Sequence, residues 1–246
     1  MSDTKAAQPL ASDVAMVLAA GLGKRMRPLT ATRPKPLVRV AGQTLIDRCL
    51  DKLEEAGVAR AVVNVHYLPD AMRAHLAKRN APQIAISDET EKLLETGGGV
   101  VRALPLIDAD PFFCLNSDNV WLDGPQDVFA QLSTIWNPEH MDALLLMVPH
   151  PRAFNYRGLG DFHMDAEGRI TRRLPRKVAP FIYGGIQLVS QRLFRDAPEG
   201  AFGNMLMWER AIAEGRLYGT AFTGQWYEVG APEMIAPTEA ALTQHD

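Results

Sequence analysis

The sequence predicts an α/β protein with a doubly wound, mixed sheet that is predominantly parallel. Three observations carry that prediction. Residues 14–20 and 61–65 are apolar-rich runs of the kind found in strands buried on both faces. Residues 44–57 and 69–78 carry apolar positions at helical spacing, and strand–helix–strand order implies parallel crossovers. Beyond Pro149 the texture changes to shorter segments with turn signals, which adds antiparallel pairs. At 246 residues, with 47% hydrophobic and 22% charged residues, the chain suits one large globular domain.

Taken in order, residues 1–13 are polar and alanine-rich, without an apolar signal-peptide core, and read as a flexible lead-in. Strand 14–20 follows. Thr44 is placed as the N-cap of a helix that Gly57 ends, with Leu45, Ile46, Cys49, Leu50 and Leu53 on its apolar face. Strands at 61–65 and 83–87 flank a helix at 69–78. A helix is predicted to start at Gly97-Gly98-Gly99. Strand 111–115 leads into Asn116-Ser117-Asp118-Asn119. A weak helix at 128–136 and a strand at 143–148 come next. Residues 162–164 and 170–174 read as an antiparallel pair about a turn at 165–168. A long strand, 181–189, is interrupted by Gly184-Gly185, which suggests close approach of a ligand or another backbone. Helices at 190–194 and 203–215, strands at 217–222 and 226–229, and a closing helix at 231–242 complete the chain. No internal repeat or low-complexity linker divides it, so residues 14–246 form one domain.

The net charge of −3 argues against nucleic-acid or anionic-membrane partners, which need broad basic surfaces. No apolar run reaches the ~18 residues of a membrane span, so the expected setting is the cytoplasm. The two cysteines, Cys49 and Cys114, read as buried reduced thiols, and no pair of the six histidines has zinc-ligand spacing.

Against that mildly acidic background one loop is locally basic. It carries Gly21, Gly23, Lys24, Arg25, Arg27, Arg33 and Lys35 just after the first strand. Gly21 and Gly23 let the backbone bend with positive φ and approach a ligand. Their N–H groups can serve as anion donors, and Arg25 and Lys35 can supply charge. A polyphosphate is the implied ligand. The loop lacks Gly-Lys-Ser/Thr and has Met26 where a dinucleotide-binding fingerprint has its third glycine, so neither of those phosphate motifs fits. The triple glycine reads either as a loose helix cap or as backbone that touches a flat base or ribose. Asp118 reads either as a turn former or as a ligand group past the end of a central strand. Together with Glu228 it suggests a divalent cation, Mg²⁺, between carboxylate and phosphate. In-line displacement at phosphorus needs positioning and charge stabilisation rather than a protein nucleophile.

The ordered run Leu18-Ala19-Ala20-Gly21-Leu22-Gly23-Lys24-Arg25-Met26-Arg27-Pro28-Leu29-Thr30, with Lys35-Pro36-Leu37 after it, resembles the signature of the sugar-1-phosphate nucleotidyltransferases. The likeness continues through Glu95-Thr96-Gly97-Gly98-Gly99, Asn116-Ser117-Asp118, Gly160-Asp161-Phe162, Gly184-Gly185-Ile186 and Trp226-Tyr227-Glu228-Val229-Gly230. It covers nearly the whole chain from Val14. The run from Leu94 to Gly99 with Gly160-Asp161-Phe162 is most similar to the N-acetylmuramate 1-phosphate uridylyltransferases of cell-wall recycling.

The resemblance implies a Rossmann-like, single-domain nucleotidyltransferase fold of the GT-A-like type, with residues 14–148 as the nucleotide-binding half and 149–246 as the sugar-binding half. It implies an NTP, UTP above others, and a sugar 1-phosphate as partners, and a monomer or small homo-oligomer. Ala20, Gly21 and Gly23 would hold base, ribose and phosphates. Arg25 would neutralise the β- and γ-phosphates and the departing pyrophosphate, and Lys35 would bind the α-phosphate and the sugar phosphate. Glu95 and Gly98 would line base and ribose, with Asn116 also on the nucleotide. Gly160, Asp161 and Gly184 would face the sugar. Asp118 and Glu228 would hold Mg²⁺. Two positions depart from the family: Ser117 replaces a glycine, and Glu228 an aspartate one methylene shorter. Rival readings are a mannose-1-phosphate guanylyltransferase, a glucose-1-phosphate thymidylyltransferase, or a non-catalytic nucleotide-sugar sensor.

Overall fold

The computed structural model describes residues 9–244. In chain order its strands and helices are β1 (Val14–Leu18), β2 (Arg39–Val40), β3 (Gln43–Thr44), α1 (Leu45–Ala56), β4 (Arg60–Val65), α2 (Pro69–Leu76), β5 (Gln83–Asp88) and α3 (Glu95–Ala103). Then come β6 (Phe112–Asn116), β7 (Val120–Leu122), α4 (Val128–Ile135), β8 (Ala143–Pro149), β9 (Ala153–Phe154), β10 (Phe162–Met164) and β11 (Ile170–Arg172). The chain closes with β12 (Phe181–Val189), α5 (Asn204–Ala213), β13 (Leu217–Ala221), β14 (Gln225–Tyr227) and α6 (Ile235–Thr243).

The predicted doubly wound sheet is present. Among the described residues nine strands form it, running β11-β10-β12-β6-β1-β4-β5, with β8 joined to β12 and β13 to β8. β5, β4, β1 and β6 are parallel neighbours. Their side chains are apolar on both faces because helices cover both. One face packs Val17, Val63 and Leu115 with α1 residues Ile46, Leu50 and Leu53, and the other packs Met16, Val62 and Cys114 with Val100 of α3. β12 runs antiparallel to β6 and β8, and that reversal makes the sheet mixed. α1 forms where its caps predict: Thr44 Oγ1 accepts the Asp47 N–H at 3.2 Å, and Gly57 ends the helix at φ 92°.

Three features differ from the sequence reading. Residues 10–13 are anchored, since Ala11 N–H donates to Ser133 Oγ at 3.0 Å and the Asp13 carbonyl accepts from Ala59 and Arg60. Residues 1–8 of the expected lead-in lie outside the described residues. Residues 191–194 form only a 3₁₀ turn, capped by Ser190. Finally, β7, β14 and β9 make a small second sheet. It sets Tyr227 and Val229 against Met26, Val38 and Val120 in a separate apolar cluster. That cluster ties the basic loop to the C-terminal segment.

Both thiols are buried and unbridged. Burial pushes Cys49 well up and Cys114 up to about 12. No helix among the described residues is long and apolar enough to cross a membrane.

Candidate active site

Parallel pairing builds the site. Leu18, the last residue of β1, lies opposite Asn116, the last residue of β6. Ser117 N–H then donates to the Leu18 carbonyl at 3.1 Å. Asp118 is thereby delivered beside the basic loop, at the carboxyl edge of the sheet where such folds bind ligands. The loop is closed by Thr30, which is 1% exposed and whose Oγ1 donates to the Gly23 carbonyl at 2.8 Å. A 3₁₀ turn at Lys35–Leu37, with Pro36 buried, aims the lysine inward.

Two hollows meet there. The larger, about 440 Å³, is lined by Ala20, Gly21, Gly23, Lys35, Glu95, Asn116 and Asp118 among others. The smaller, about 120 Å³, is lined by Arg25, Lys35, Asn116, Asp118, Tyr183 and Glu228 among others. Lys35, Asn116 and Asp118 belong to both. Lys35 Nζ lies 2.5 Å from Asp118 Oδ2, and Arg25 Nη1 lies 3.6 Å from Glu228 Oε1. The two sequence-distant carboxylates are thus each matched by a cation of the basic loop.

The glycines divide by cause. A Cβ on Gly21 would meet no other protein atom within 4 Å, so no packing in the protein demands glycine there and the space beside it is open. Contrary to expectation, only Gly23 has positive φ, at 59°. Its Cβ would also sit 3.0 Å from Lys35 Cβ.

Gly98 packs against the protein itself. It lines neither hollow. A Cβ there would collide with the Gly200 carbonyl oxygen, and the N–H groups of Gly97 and Gly98 donate to the Phe202 carbonyl at 2.8 and 3.0 Å. Packing and capping by residues 200–202 account for it.

The predicted sugar residues are likewise absent from the walls of both hollows. Gly160 has φ 77°, and a Cβ there would strike the Ala179 carbonyl. Gly184 packs on Val148 and Leu146, and its carbonyl accepts the Trp226 indole N–H at 3.1 Å. Asp161 is one step removed. It accepts the Tyr183 N–H at 2.9 Å, and Tyr183 lines the smaller hollow.

Sequence reasoning missed Asn64, Thr96, Asn119 and Trp226, all of which line one hollow or the other. A lone asparagine in the otherwise apolar end of β4 was the available signal for Asn64. Glu95, at the mouth of the larger hollow, holds a left-handed φ of 61°, a costly conformation for a non-glycine residue.

Among the described residues no cluster of three or more His, Cys, Asp or Glu side chains could hold a metal alone. Two carboxylates facing one small hollow nevertheless fit Mg²⁺, which commonly takes one or two carboxylates and completes its shell with substrate phosphates and waters.

The sequence profile of the nucleotidyl transferase family matches residues 14–172. The chain is 42% identical to the N-acetylmuramate alpha-1-phosphate uridylyltransferase of Caulobacter vibrioides, over 95% of this chain and 98% of that protein. It is 33% identical to the protein of the same name from Neisseria meningitidis, over 92% and 96%. In structure it is similar to the inositol-1-phosphate CTP transferase of T. maritima, with TM-score 0.77 and 17% identity over 95% of this chain and 96% of that one.

Proposed function

The chain belongs to the nucleotidyl transferase family, and from that premise we propose that it transfers the uridylyl group of UTP to N-acetylmuramate α-1-phosphate. The observation that carries the reaction is the meeting of the two hollows at Lys35, Asn116 and Asp118. A nucleotide in the larger hollow would bring its α-phosphate to that junction, where a sugar phosphate enters from the smaller one. The choice of substrates is supported by the names of the two relatives matched over nearly their full length.

In this reading an oxygen of the sugar phosphate attacks the α-phosphorus of UTP. The bond from that phosphorus to the bridging oxygen breaks, and pyrophosphate leaves with the electron pair. The protein's work is positioning and charge stabilisation. Lys35 exchanges Asp118 for the α-phosphate. Arg25, whose side chain is 73% exposed, swings from Glu228 onto the β- and γ-phosphates. Ala20, Gly21 and Gly23 present backbone to the nucleotide, with Glu95 and Asn116 beside base and ribose. Asp161 acts on the sugar side through Tyr183, between the backbones of Gly160 and Gly184. Asp118 and Glu228 would hold Mg²⁺, which supplies neutralisation of phosphate charge when bound. UTP as substrate and two unbridged thiols support a cytoplasmic setting, and the UDP-sugar would return a recovered sugar to peptidoglycan synthesis.

Initial rates with UTP, GTP, TTP and CTP against a panel of sugar 1-phosphates test the proposal. A clear preference for UTP with N-acetylmuramate 1-phosphate is expected. Equal rates with all four nucleotides would sink it.

A further inference from the structure

We infer that Asn64 and Glu89 form a positioning clamp that holds the nucleotide loop in register with the opposite wall of the cleft, a role that rests on the nucleotide reading above. Ala19, one residue past β1, donates its N–H to Asn64 Oδ1 at 2.6 Å. Asn64 Nδ2 donates to Glu89 Oε1 at 2.7 Å. Glu89 Oε2 accepts the N–H of Leu94, which leads into α3, at 3.2 Å. Two loops at the carboxyl edge of the sheet, those after β1 and β5, are therefore tied through the end of β4 by two side chains. Asn64 is 1% exposed and Glu89 2%. Water has little access to replace the two bonds of Asn64, both of them buried, and a buried donor left unpaired is costly.

The chain of bonds has a direction. The Ala19 N–H can only donate, so the Asn64 amide must turn its oxygen toward Ala19 and its nitrogen toward Glu89. Glu89 then has to accept twice, from Asn64 and from Leu94, which a carboxylate can do. Both ends of the Asn64 amide are engaged inside the protein, so this residue positions the cleft wall rather than reading the base.

The last glycine of the triple run has its explanation here. A Cβ on Gly99 would sit 2.8 Å from both Asn64 Nδ2 and Glu89 Oε1. The three glycines therefore serve two contacts: Gly97 and Gly98 admit residues 200–202, and Gly99 admits the clamp. Neither Gly99 nor Glu89 lines the larger hollow. Substituting them perturbs the clamp from behind, without removing a direct contact to a nucleotide.

The test is steady-state kinetics with UTP, Mg²⁺ and N-acetylmuramate 1-phosphate. In Glu89→Gln one N–H must face another N–H, and in Gly99→Ala the clamp is pushed apart. Each is expected to raise KM for UTP about tenfold, the effect of one buried hydrogen bond lost. KM for the sugar phosphate and kcat should stay within about twofold, because the reacting edge is untouched.

The combined Asn64→Asp, Glu89→Gln variant restores every donor–acceptor match. The new carboxylate accepts from Ala19 and from the glutamine amide, whose oxygen accepts from Leu94. Its KM for UTP should return toward wild type. Unchanged KM for UTP in both single variants, equal rises in both KM values, or no recovery in the combined variant would overturn the clamp. Wild type that fails to saturate with UTP would instead overturn the nucleotide reading.

Discussion

Two clusters of paired charge on this molecule look alike on paper and differ in what surrounds them. Where α1 meets α2 and the turn after it, Arg79 lies 2.7 Å from Asp51, 3.2 Å from Asp47 and 3.3 Å from Glu54, while His75 Nε2 lies 2.9 Å from Asp47. Arg79 also donates to the Ala81 carbonyl at 2.9 Å, so its fork is filled by the protein. At the sheet edge, Lys35 meets Asp118 and Arg25 meets Glu228, one cation to one carboxylate, with a hollow between them. The first cluster is complete. The second has room for an anion to take the cations and a metal to take the carboxylates. Ion pairing alone does not mark a site; ion pairing beside open backbone such as Gly21 does.

The largest effect should come from breaking the open cluster. Asp118→Ala leaves Lys35 unpaired and removes half of the proposed metal donor set. Pyrophosphate release with UTP, Mg²⁺ and sugar phosphate is expected to fall about a thousandfold, at the upper end of what one preorganised charge contributes. Wild type as inactive as the variant, with UTP still bound, would instead favour a nucleotide-sugar sensor. Next is Arg25→Ala. Its exposed pair with Glu228 adds little to stability. In the proposed reaction its charge is needed where pyrophosphate leaves, so kcat should drop about a hundredfold while KM for the sugar phosphate stays within about twofold. Equal losses in both would make Arg25 a binding cation only.

The closed cluster should respond in the opposite way. Arg79→Ala leaves Asp47 and Asp51 without their shared partner. Urea denaturation is expected to show a loss of about 2 kcal/mol, within the range for a broken, partly buried charge network. Both KM values and kcat should remain those of wild type. A kinetic defect without a stability defect would erase the distinction between the clusters.

How much of this was legible depended on whether the partner lay near in sequence. Residues 18–36 were readable as cleft-lining because their glycines and cations crowd into one short loop directly after the first strand. Asp118 was readable because topology puts the end of a central strand at the binding edge. The double role of Gly97, Gly98 and Gly99 was not, since its causes are Phe202, Gly200, Asn64 and Glu89. Those partners are brought together only by the folded sheet. Nor was the small sheet as a unit: a strand was read at 226–229, but its partners β7 and β9, three and two residues long, carry no periodicity. Yet that sheet helps bring Glu228 to Arg25.

The smallest expected effect uses pH to sharpen the comparison within the closed cluster. Burial pushes the Asp47 carboxyl up, but hydrogen bonds with Thr44, His75 and Arg79 outweigh it and hold the group below the ordinary aspartate value of 3.8. A depressed folded-state pKa means that ionised Asp47 favours the fold. That contribution is fully present above the unfolded value of 3.8 and is lost as pH falls through the lower folded value. Asp47→Asn should therefore destabilise the protein relative to wild type at neutral pH, and the gap should narrow as pH falls below 3.8. Unfolding free energies of both proteins across that range would show the convergence. A gap that stayed constant would mean that Asp47 acts there as a hydrogen-bond acceptor whose charge is immaterial.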